Sequence, residues 1–520
     1  MKRKIEYTQY EKRLLYKFIK TRLFNMLGIS NAIKDSFDIS ENWINEDCCD
    51  YVYVKEGKTY FGFKTKNGSA FYIDRKVNEN NINWCSKILE ALYYNINFNR
   101  YLFNQDSKLS YFYDNSEKNH KYIALSESYT SKYEKQLFDF AIERGIINWI
   151  VSKSTESNLK IERLFSILEN WACKTYEGHN VCFGLLIDTK ECGKPTYKEN
   201  AYCDSFLDFL DDEYSATLSD GISSMLQIDA NCNFHKYVSL TENDVIDRCE
   251  INNSVLPYRF IQIIKSKVKD ENVGVFLIQN GDIIVAKNQK IVFIKRNGKW
   301  LNFQYASFEI IIKEILGKDT KEFSSLLQHC FSTCIDVSLT HTGGIIAVIA
   351  NDRKDDFYNI SNIIDTINQE KSNEELYFDA INQQLNTKED DHNLLDRMFK
   401  EKFPNEDKKR KNDIKKRITK RNMLLKLLDI YKKDDGQFNY IKIDRKLRTE
   451  LTGMDGASII DEDGNVISFG AIIKNNAGSS GGGRGAAAKA LSEYGGFAIK
   501  ISTDGYIEVY INGNKVYSIK

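Results

Sequence analysis

One carboxylate, set beside two small residues, is the group in this chain best placed to hold a metal ion. Asp455 stands in the tripeptide Asp455-Gly456-Ala457, directly before a predicted strand. A carboxylate with open space beside it suits Mg²⁺ or Mn²⁺, because these ions take one or two protein oxygens and the rest from water and substrate phosphates. Asp-Gly is also a common turn, so the dipeptide alone indicates only a loop.

A glycine-rich run further along the chain supplies a single cation. Arg484 lies in GSSGGGRGAAAKALSEYGG, residues 478–496. The run follows a predicted strand and leads into 486–494, whose Ala, Lys, Leu and Glu favour helix. A strand, a glycine-rich loop and a helix in this order direct free backbone N–H groups at an anion, and Arg484 adds a charged donor. Because strand patterns resume on both sides, we interpret the run as a phosphate-binding loop and not as a flexible linker.

Three separated motifs resemble the diadenylate cyclase family, the nucleotide-binding domain of the c-di-AMP synthases. The family has a glycine-containing buried strand, then Asp-Gly-Ala opening a hairpin, then Gly-Thr-Arg-His-Arg-Ala-Ala running into a helix that ends in Ser-Glu. Gly343-Gly344 with IIAVIA resembles the first motif, and residues 455–457 match the second letter for letter. Counting back from Ser492-Glu493 places Arg484 on the first arginine of the third motif.

This resemblance implies an activity and a set of site residues. The domain would bind ATP and condense two ATP molecules into c-di-AMP with release of pyrophosphate, and would form a homodimer or higher homo-oligomer through face-to-face domains. Asp455 and Arg484 would be the catalytic residues, with Asp455 holding Mg²⁺ or Mn²⁺. The implied nucleotide contacts are Gly456, Ala457, Gly482, Gly483, Arg484, Gly485, Ser492 and Glu493.

The chain departs from the family pattern at three positions. Gly485 stands where the family has histidine, Ala486 where it has the second arginine, and Met454 where a histidine commonly precedes the aspartate. Losing one charged donor from a phosphate site costs several kcal/mol of transition-state stabilisation. A second hypothesis is therefore a catalytically weak or inactive domain that acts as a sensor of ATP or a cyclic dinucleotide, in bacterial stress or defence signalling.

Amino-acid composition limits the classes of partner and of cellular location that the sequence indicates. The 73 basic and 73 acidic residues cancel, so no global charge attracts nucleic acid or anionic lipid. Eleven cysteines without a Cys-X-X-Cys pair are typical of reduced thiols. The N-terminal MKRKIEYTQYEKRLL has no apolar h-region, and the apolar run at 343–350 is far shorter than the ~20 residues of a membrane-spanning helix. We expect a cytoplasmic protein with no membrane partner.

The pattern of turns and helices predicts an α/β chain, α+β overall, in three regions. Residues 1–245 form an N-terminal α+β sensor region, 246–325 a small β-meander, and 326–520 a mixed β-sheet flanked by helices. Asn-Gly hairpin signals at 67–68, 280–281 and 297–298 support the strands. Helical periodicity marks 84–96, 133–151, 161–173 and a stripe from Phe323 to Ile335 on which Cys330 and Cys334 pack as buried thiols.

Two further features leave alternatives open. Residues 361–437 are expected to form an inserted helical hairpin whose basic block, 408–421, holds nine Lys or Arg in fourteen positions. Nucleic-acid contact is one interpretation, but a solvated helix facing an acidic partner is favoured because few aromatic residues are interleaved. Separately, SDGISSMLQIDANCNF at 219–234 resembles MDGASIIDEDGNVI at 454–467, so a duplicated fold is possible, although Asp-Gly turns before strands arise easily by chance.

Overall fold

The computed structural model of the protein contains two compact units. The first consists of residues 1–246, 259–308 and 518–520, and the second of residues 247–258 and 309–517. The residues that the structure describes are 9–27, 37–40, 51–55, 58–62, 70–73, 77, 79–105, 120–151, 155–176, 178–189, 205–211, 217–303, 305–354, 363–365, 420, 423–424, 426–432, 438–454, 456–473 and 482–519.

Both units contain helices and strands, as a mixed α/β protein does. The helices are α1 Gln9–Phe18, α2 Phe24–Met26, α3 Glu79–Gln105, α4 His120–Val151, α5 Thr155–Ala172, α6 Phe206–Asp211, α7 Arg248–Asn252, α8 Ile261–Lys267, α9 Tyr305–Leu316, α10 Lys321–Thr340, α11 Arg445–Thr452 and α12 Gly482–Leu491. The strands are β1 Phe37–Ser40, β2 Val52–Lys55, β3 Lys58–Gly62, β4 Ala70–Ile73, β5 Thr175–Tyr176, β6 His179–Asn180, β7 Phe183–Asp188, β8 Ser224–Asp229, β9 Phe234–Ser239, β10 Val273–Leu277, β11 Ile283–Lys287, β12 Lys290–Arg296, β13 Lys299–Asn302, β14 Gly344–Ile349, β15 Ile363–Asp365, β16 Ala457–Asp461, β17 Val466–Ile473, β18 Phe497–Ile501, β19 Ile507–Ile511 and β20 Asn514–Ile519. The predicted helices at 84–96, 133–151 and 161–173 fall on α3, α4 and α5.

The first unit contains a four-stranded antiparallel sheet and a seven-stranded mixed sheet. The smaller sheet has the order β1-β4-β3-β2. Its β3 and β4 are the two runs predicted to pair around Asn67-Gly68, a turn that lies outside the described residues. The larger sheet has the order β13-β12-β11-β10-β7-β8-β9, in which β7 and β8 are the parallel pair.

The strands predicted as a separate meander continue this larger sheet. β10 pairs antiparallel with β7, from Val273 opposite Ile187 to Leu277 opposite Phe183. The structure therefore has two units where the sequence predicts three regions. Local turn signals locate a hairpin, but they carry no information about the distant strand that pairs with its edge.

The core of the first unit is rich in aromatic rings. Phe293 on β12 lies in edge-to-face contact with Trp84 and Trp149, with ring centroids 5.4 and 5.5 Å apart. A buried ion pair joins β12 to the β10–β11 turn. Nη2 of Arg296 lies 2.6 Å from Oδ2 of Asp282, and the two side chains are 0% and 2% exposed. Such a pair is costly to break because the remaining charge is left in a dry site.

The second unit is built around β14. Its sheet has the order β15-β17-β16-β14-β18-β19-β20, in which β14 and β16 are parallel. Every residue of β14 is buried, as its continuous apolar sequence predicts. The helix α12 covers one face, and its Ala488 and Leu491 pack with Ile345, Ala347, Ile349, Ala457, Ile459, Ala471 and Ala498. The helix α10 also packs on this sheet, with the rings of Phe323 and Phe497 6.3 Å apart.

The apolar stripe of α10 is confirmed. Phe323, Leu326, Leu327, Cys330, Phe331, Cys334 and Ile335 are all buried. Burial raises the pKa of Cys330 to about 12 and also raises that of Cys334. Both thiols therefore stay protonated at neutral pH, as packed core groups do.

A buried arginine on α11 links three segments of the second unit. Arg445 donates from Nε to Asp336 Oδ2 at 2.7 Å, and from its Nη atoms to the carbonyl oxygens of Ser254 and Leu256 at 2.6 and 2.5 Å. Asp336 also accepts from the backbone N–H of Tyr258. This network fixes the segment 247–258 to α10 and α11.

Little of the inserted segment falls in the described residues. Residues 363–365 form β15, which pairs antiparallel with β17. From the basic block 408–421 the structure describes Lys420, whose Nζ lies 2.6 Å from Glu450 Oε2. The rest of the block, and most of the predicted hairpin, lies outside the described residues. None of the helices that the structure describes is long and apolar enough to cross a membrane.

A buried histidine on α10 should make the second unit sensitive to acid. His329 is 3% exposed, and its Nδ1 lies 2.7 Å from the Ser325 carbonyl oxygen. Burial, and to a smaller extent the charge of Arg448, lowers the pKa of His329 to about 4. The unfolded chain, in which a histidine pKa is about 6.5, takes up the proton first as the pH falls. Stability is therefore lost between about pH 6.5 and pH 4 and is unaffected above that range.

We expect the free energy of unfolding to fall between pH 7.5 and pH 5 by about 2 kcal/mol more in the wild type than in a His329→Gln variant, at about 1.4 kcal/mol per pH unit below 6.5. Urea unfolding of both proteins at the two pH values measures this difference. The same pH dependence in both proteins would show that His329 is not buried in its neutral form.

Candidate functional site

The first two motifs of the predicted site lie at the same end of two adjacent strands. Gly344 opens β14, Ala457 opens β16, and the two strands run parallel with Ile345 opposite Ala457. Asp455 itself lies outside the described residues. Its neighbours Gly456 and Ala457 belong to the end of the sheet where β14 begins.

Close backbone contacts explain two of the glycines. Gly456 has φ +101°, and a Cβ atom there would lie 2.3 Å from the carbonyl carbon of Gly470 on β17. A Cβ atom on Gly344 would lie 2.4 Å from the carbonyl oxygen of Thr452. No side chain fits at such distances, so main chain packs on main chain at this end of the sheet.

The third motif forms the first turn of α12, and its arginine reaches the first motif. The helix begins at Gly482, with φ +72°, so the predicted helix at 486–494 starts four residues earlier and includes Arg484. A Cβ atom on Gly343 would lie 2.7 Å from Nη1 of Arg484. The guanidinium therefore lies directly against the bare backbone that precedes β14. Among the described residues Arg484 has no acidic partner.

The first turn of α12 leaves open space on its outer side. A Cβ atom on Gly482 or Gly483 would meet no atom within 4 Å, and both residues are exposed. Gly485 and Ala486 are buried. The first N–H groups of any helix have no partner within the helix and carry part of its positive dipole. Among the described residues, no side chain would block an anion that approached them here.

A second cation, which the sequence did not single out, lies beside the same turn. The Nζ atom of Lys500 on β18 would lie 3.7 Å from a Cβ atom on Gly485. Lys500 donates to Glu508 Oε2 at 2.9 Å, and Glu508 also accepts from Tyr510 Oη at 3.0 Å and from Lys515 at 3.1 Å. The signal in the sequence was a lysine interrupting the apolar run FAIKIS.

The network around Glu508 retains a positive charge. Glu508 is 4% exposed and is one carboxylate between two lysines. Burial, together with the Glu508 carboxylate, raises the pKa of Tyr510, so that its hydroxyl stays protonated and donates. Arg484 adds a further positive charge near the first turn of α12. The site is therefore cationic and suits a polyanion such as a triphosphate.

Ser492 and Glu493 lie at the other end of α12. The Ser492 hydroxyl donates to the Lys489 carbonyl oxygen at 2.7 Å and accepts from the Gly513 N–H at 3.0 Å. These bonds tie the end of the helix to the β19–β20 turn. Nine residues of helix separate Ser492 from Gly483, or about 13 Å at 1.5 Å per residue. The structure does not bring this pair to the end that holds Arg484.

Any divalent ion at this site would depend on Asp455. In the part of the chain that the structure describes, no group of three or more His, Cys, Asp or Glu side chains could hold a metal ion. Mg²⁺ usually takes one or two protein carboxylates and completes its shell with water and substrate phosphates.

The chain was also compared with models of protein families, with curated proteins and with solved structures, and none of the three comparisons found a match. The interpretation of the site therefore depends on the geometry of the described residues and on the resemblance of the three motifs.

Proposed function

We propose that the second unit binds ATP, with the triphosphate at the first turn of α12, and condenses two ATP molecules into c-di-AMP. The observation that carries this proposal is the position of Arg484, whose guanidinium lies against Gly343 beside an open glycine turn. The sequence predicts a phosphate loop at Arg484 and a glycine strand at 343–344 independently. Their proximity in space is what a single nucleotide site requires.

Each group at the site has a distinct task in the proposed reaction. The backbone N–H groups of the first turn of α12 and the Arg484 guanidinium bind phosphate oxygens, and Lys500 adds positive charge behind them. Asp455 would hold Mg²⁺ or Mn²⁺, which when bound neutralises phosphate charge and activates the 3′-hydroxyl. The 3′-oxygen of one ATP attacks the α-phosphorus of the other, and pyrophosphate leaves. A second such step closes the ring, so two ATP give one c-di-AMP and two pyrophosphates.

A nucleotide sensor is the second candidate, and a specific observation favours it. Gly485 and Ala486 are buried in α12 and carry no donor side chain, whereas the diadenylate cyclases have histidine and arginine at these positions. The described site thus keeps the groups that bind a triphosphate and lacks two that would stabilise charge during its transfer. In this alternative ATP or a cyclic dinucleotide occupies the site without turnover.

Incubation with ATP and Mn²⁺ or Mg²⁺, followed by mass spectrometry, separates the two candidates. We expect c-di-AMP from the wild type and none from an Asp455→Asn variant. If the wild type forms no product while ATP raises its melting temperature, the second unit is a sensor. If it forms no product and ATP leaves the melting temperature unchanged, both candidates are excluded.

A further inference from the structure

The two seven-stranded sheets share one topology. Without its edge strand β13, the first sheet has the strand order β12-β11-β10-β7-β8-β9. Without its edge strand β15, and taken from the opposite edge, the second sheet has the order β20-β19-β18-β14-β16-β17. In each set of six, the first two strands in sequence order, β7 with β8 and β14 with β16, form the parallel pair. A short helical segment precedes the fourth strand of each, α8 before β10 and α12 before β18.

The correspondence extends to individual residues at a constant offset. Residues 258–295 correspond to 482–519 without insertion or deletion. Leu277 faces Phe183 and Ile283 in the first sheet. At the same offset of 224, Ile501 faces Gly344 and Ile507 in the second.

The turns on this segment match as well. In the β10–β11 turn, Ile278 N–H donates to Asp282 O at 3.0 Å; in the β18–β19 turn, Ser502 N–H donates to Tyr506 O at 2.9 Å. The next turns place two consecutive residues at positive φ, which are Asn288 with Gln289 and Asn512 with Gly513. Strand register and turn conformation therefore agree along the whole segment.

A second hairpin in each sheet supports the same correspondence. Asp229 accepts from the backbone N–H of Asn233 at 2.9 Å and from its side chain at 3.0 Å. Asp461 accepts from the same two groups of Asn465, at 2.7 and 3.0 Å. These turns follow β8 and β16, and they are the structural basis of the resemblance between 219–234 and 454–467.

The charged side chains of the candidate site in the second unit are absent from the corresponding positions of the first unit. At the offset of 224, the position of Arg484 corresponds to Phe260 and that of Lys500 to Phe276. The two phenylalanines are 5% and 0% exposed. The two phenylalanine rings pack together with centroids 5.4 Å apart. Glu508 corresponds to Ile284, which is fully buried. Two cations and a carboxylate are thus replaced by apolar packing.

Asp220, in the Asp-Gly turn of the first unit, accepts hydrogen bonds from its own loop. The Oδ1 atom of Asp220 accepts from the backbone N–H groups of Ile222, Ser223 and Ser224 at 2.9, 2.8 and 3.0 Å. Burial opposes the charged form of Asp220, but these bonds and one from the Ser223 hydroxyl outweigh it and lower the pKa of its carboxyl. This carboxylate holds a loop together and is not directed at a ligand.

We infer that six strands of the seven-stranded sheet of the first unit, together with α8, are a second copy of the fold of the second unit in which apolar packing has replaced the phosphate site. The described residues then offer one nucleotide site, and condensation of two nucleotides requires the second units of two chains. This inference rests on the proposed function of the second unit.

Native mass spectrometry of the full chain with ATP and Mg²⁺ counts the bound nucleotides. We expect one per chain in the wild type and in a Lys489→Ala variant, which changes an exposed cation at the far end of α12. We expect the occupancy of this one site to be at least about tenfold lower in Arg484→Ala at ATP concentrations below the dissociation constant. Two per chain in the wild type, with one remaining in Arg484→Ala, would overturn the inference and leave the proposed function standing. No bound nucleotide in the wild type would overturn the proposed function and the single site with it.

The requirement for two chains has its own test. The rate of c-di-AMP formation per chain is expected to rise with protein concentration until the paired form saturates. A rate per chain that is independent of concentration, in protein that native mass spectrometry shows to be monomeric, would overturn it.

Discussion

Replacing Arg445 by leucine is expected to lower the free energy of unfolding of the second unit by about 3–5 kcal/mol, the usual cost of leaving one partner of a buried ion pair uncompensated. Arg445 is fully buried, and Asp336 is 8% exposed. The substitution leaves the Asp336 carboxylate without its guanidinium, and it also removes the donors of the Ser254 and Leu256 carbonyl oxygens. Urea unfolding, followed by circular dichroism, measures the change.

A neighbouring lysine provides the matched control. Lys446 is exposed on the same helix, so Lys446→Leu is expected to change the unfolding free energy by no more than about 0.5 kcal/mol. The double variant Arg445→Leu with Asp336→Leu should be more stable than Arg445→Leu alone, because no charge is then left unpaired. Equal stability of Arg445→Leu and Lys446→Leu would mean that the network does not hold the segment 247–258 in place.

Replacing Arg484 by alanine is expected to lower the rate of c-di-AMP formation by about 10²–10³-fold, the range seen when one preorganised donor is removed from a catalytic site. Arg484 has no acidic partner among the described residues, and its guanidinium lies against Gly343. Its removal therefore breaks no ion pair among the described residues, and the melting temperature should stay close to that of the wild type. Product formation measured by mass spectrometry, with Lys489→Ala as control, tests this. An unchanged rate in Arg484→Ala would remove Arg484 from the site.

Much of the fold could be predicted from the sequence because its signals are local. The stripe on α10, the buried run of β14 and the turn at Asn280-Gly281 each lie within a few consecutive residues, and each appears where it was predicted. The placement of the meander could not be predicted in this way. Its partner strand β7 lies about 90 residues earlier in the chain, and only tertiary pairing selects it.

The candidate site could likewise be predicted only where its signals are local in the sequence. Asp455 and Arg484 could be selected because small residues surround them, but Lys500 lies within an apolar strand and joins the site through the packing of α12 on the sheet. The duplicated fold that we infer is indicated in the sequence only by the resemblance between 219–234 and 454–467. Along 258–295 and 482–519 the shared features are turn lengths and strand register, while Phe260 and Phe276 stand where Arg484 and Lys500 do, so the side chains that carry chemistry differ.

ATP is expected to bind at the first turn of α12 through Arg484, and calorimetric titration of ATP with Mg²⁺ into the full chain measures this binding. We expect saturable binding to the wild type and to Lys489→Ala with the same affinity. Binding to Arg484→Ala should be at least about tenfold weaker, since a hydrogen bond to a charged group contributes about 1.5–3 kcal/mol. No saturable binding to the wild type, or one affinity for all three proteins, would contradict binding through Arg484.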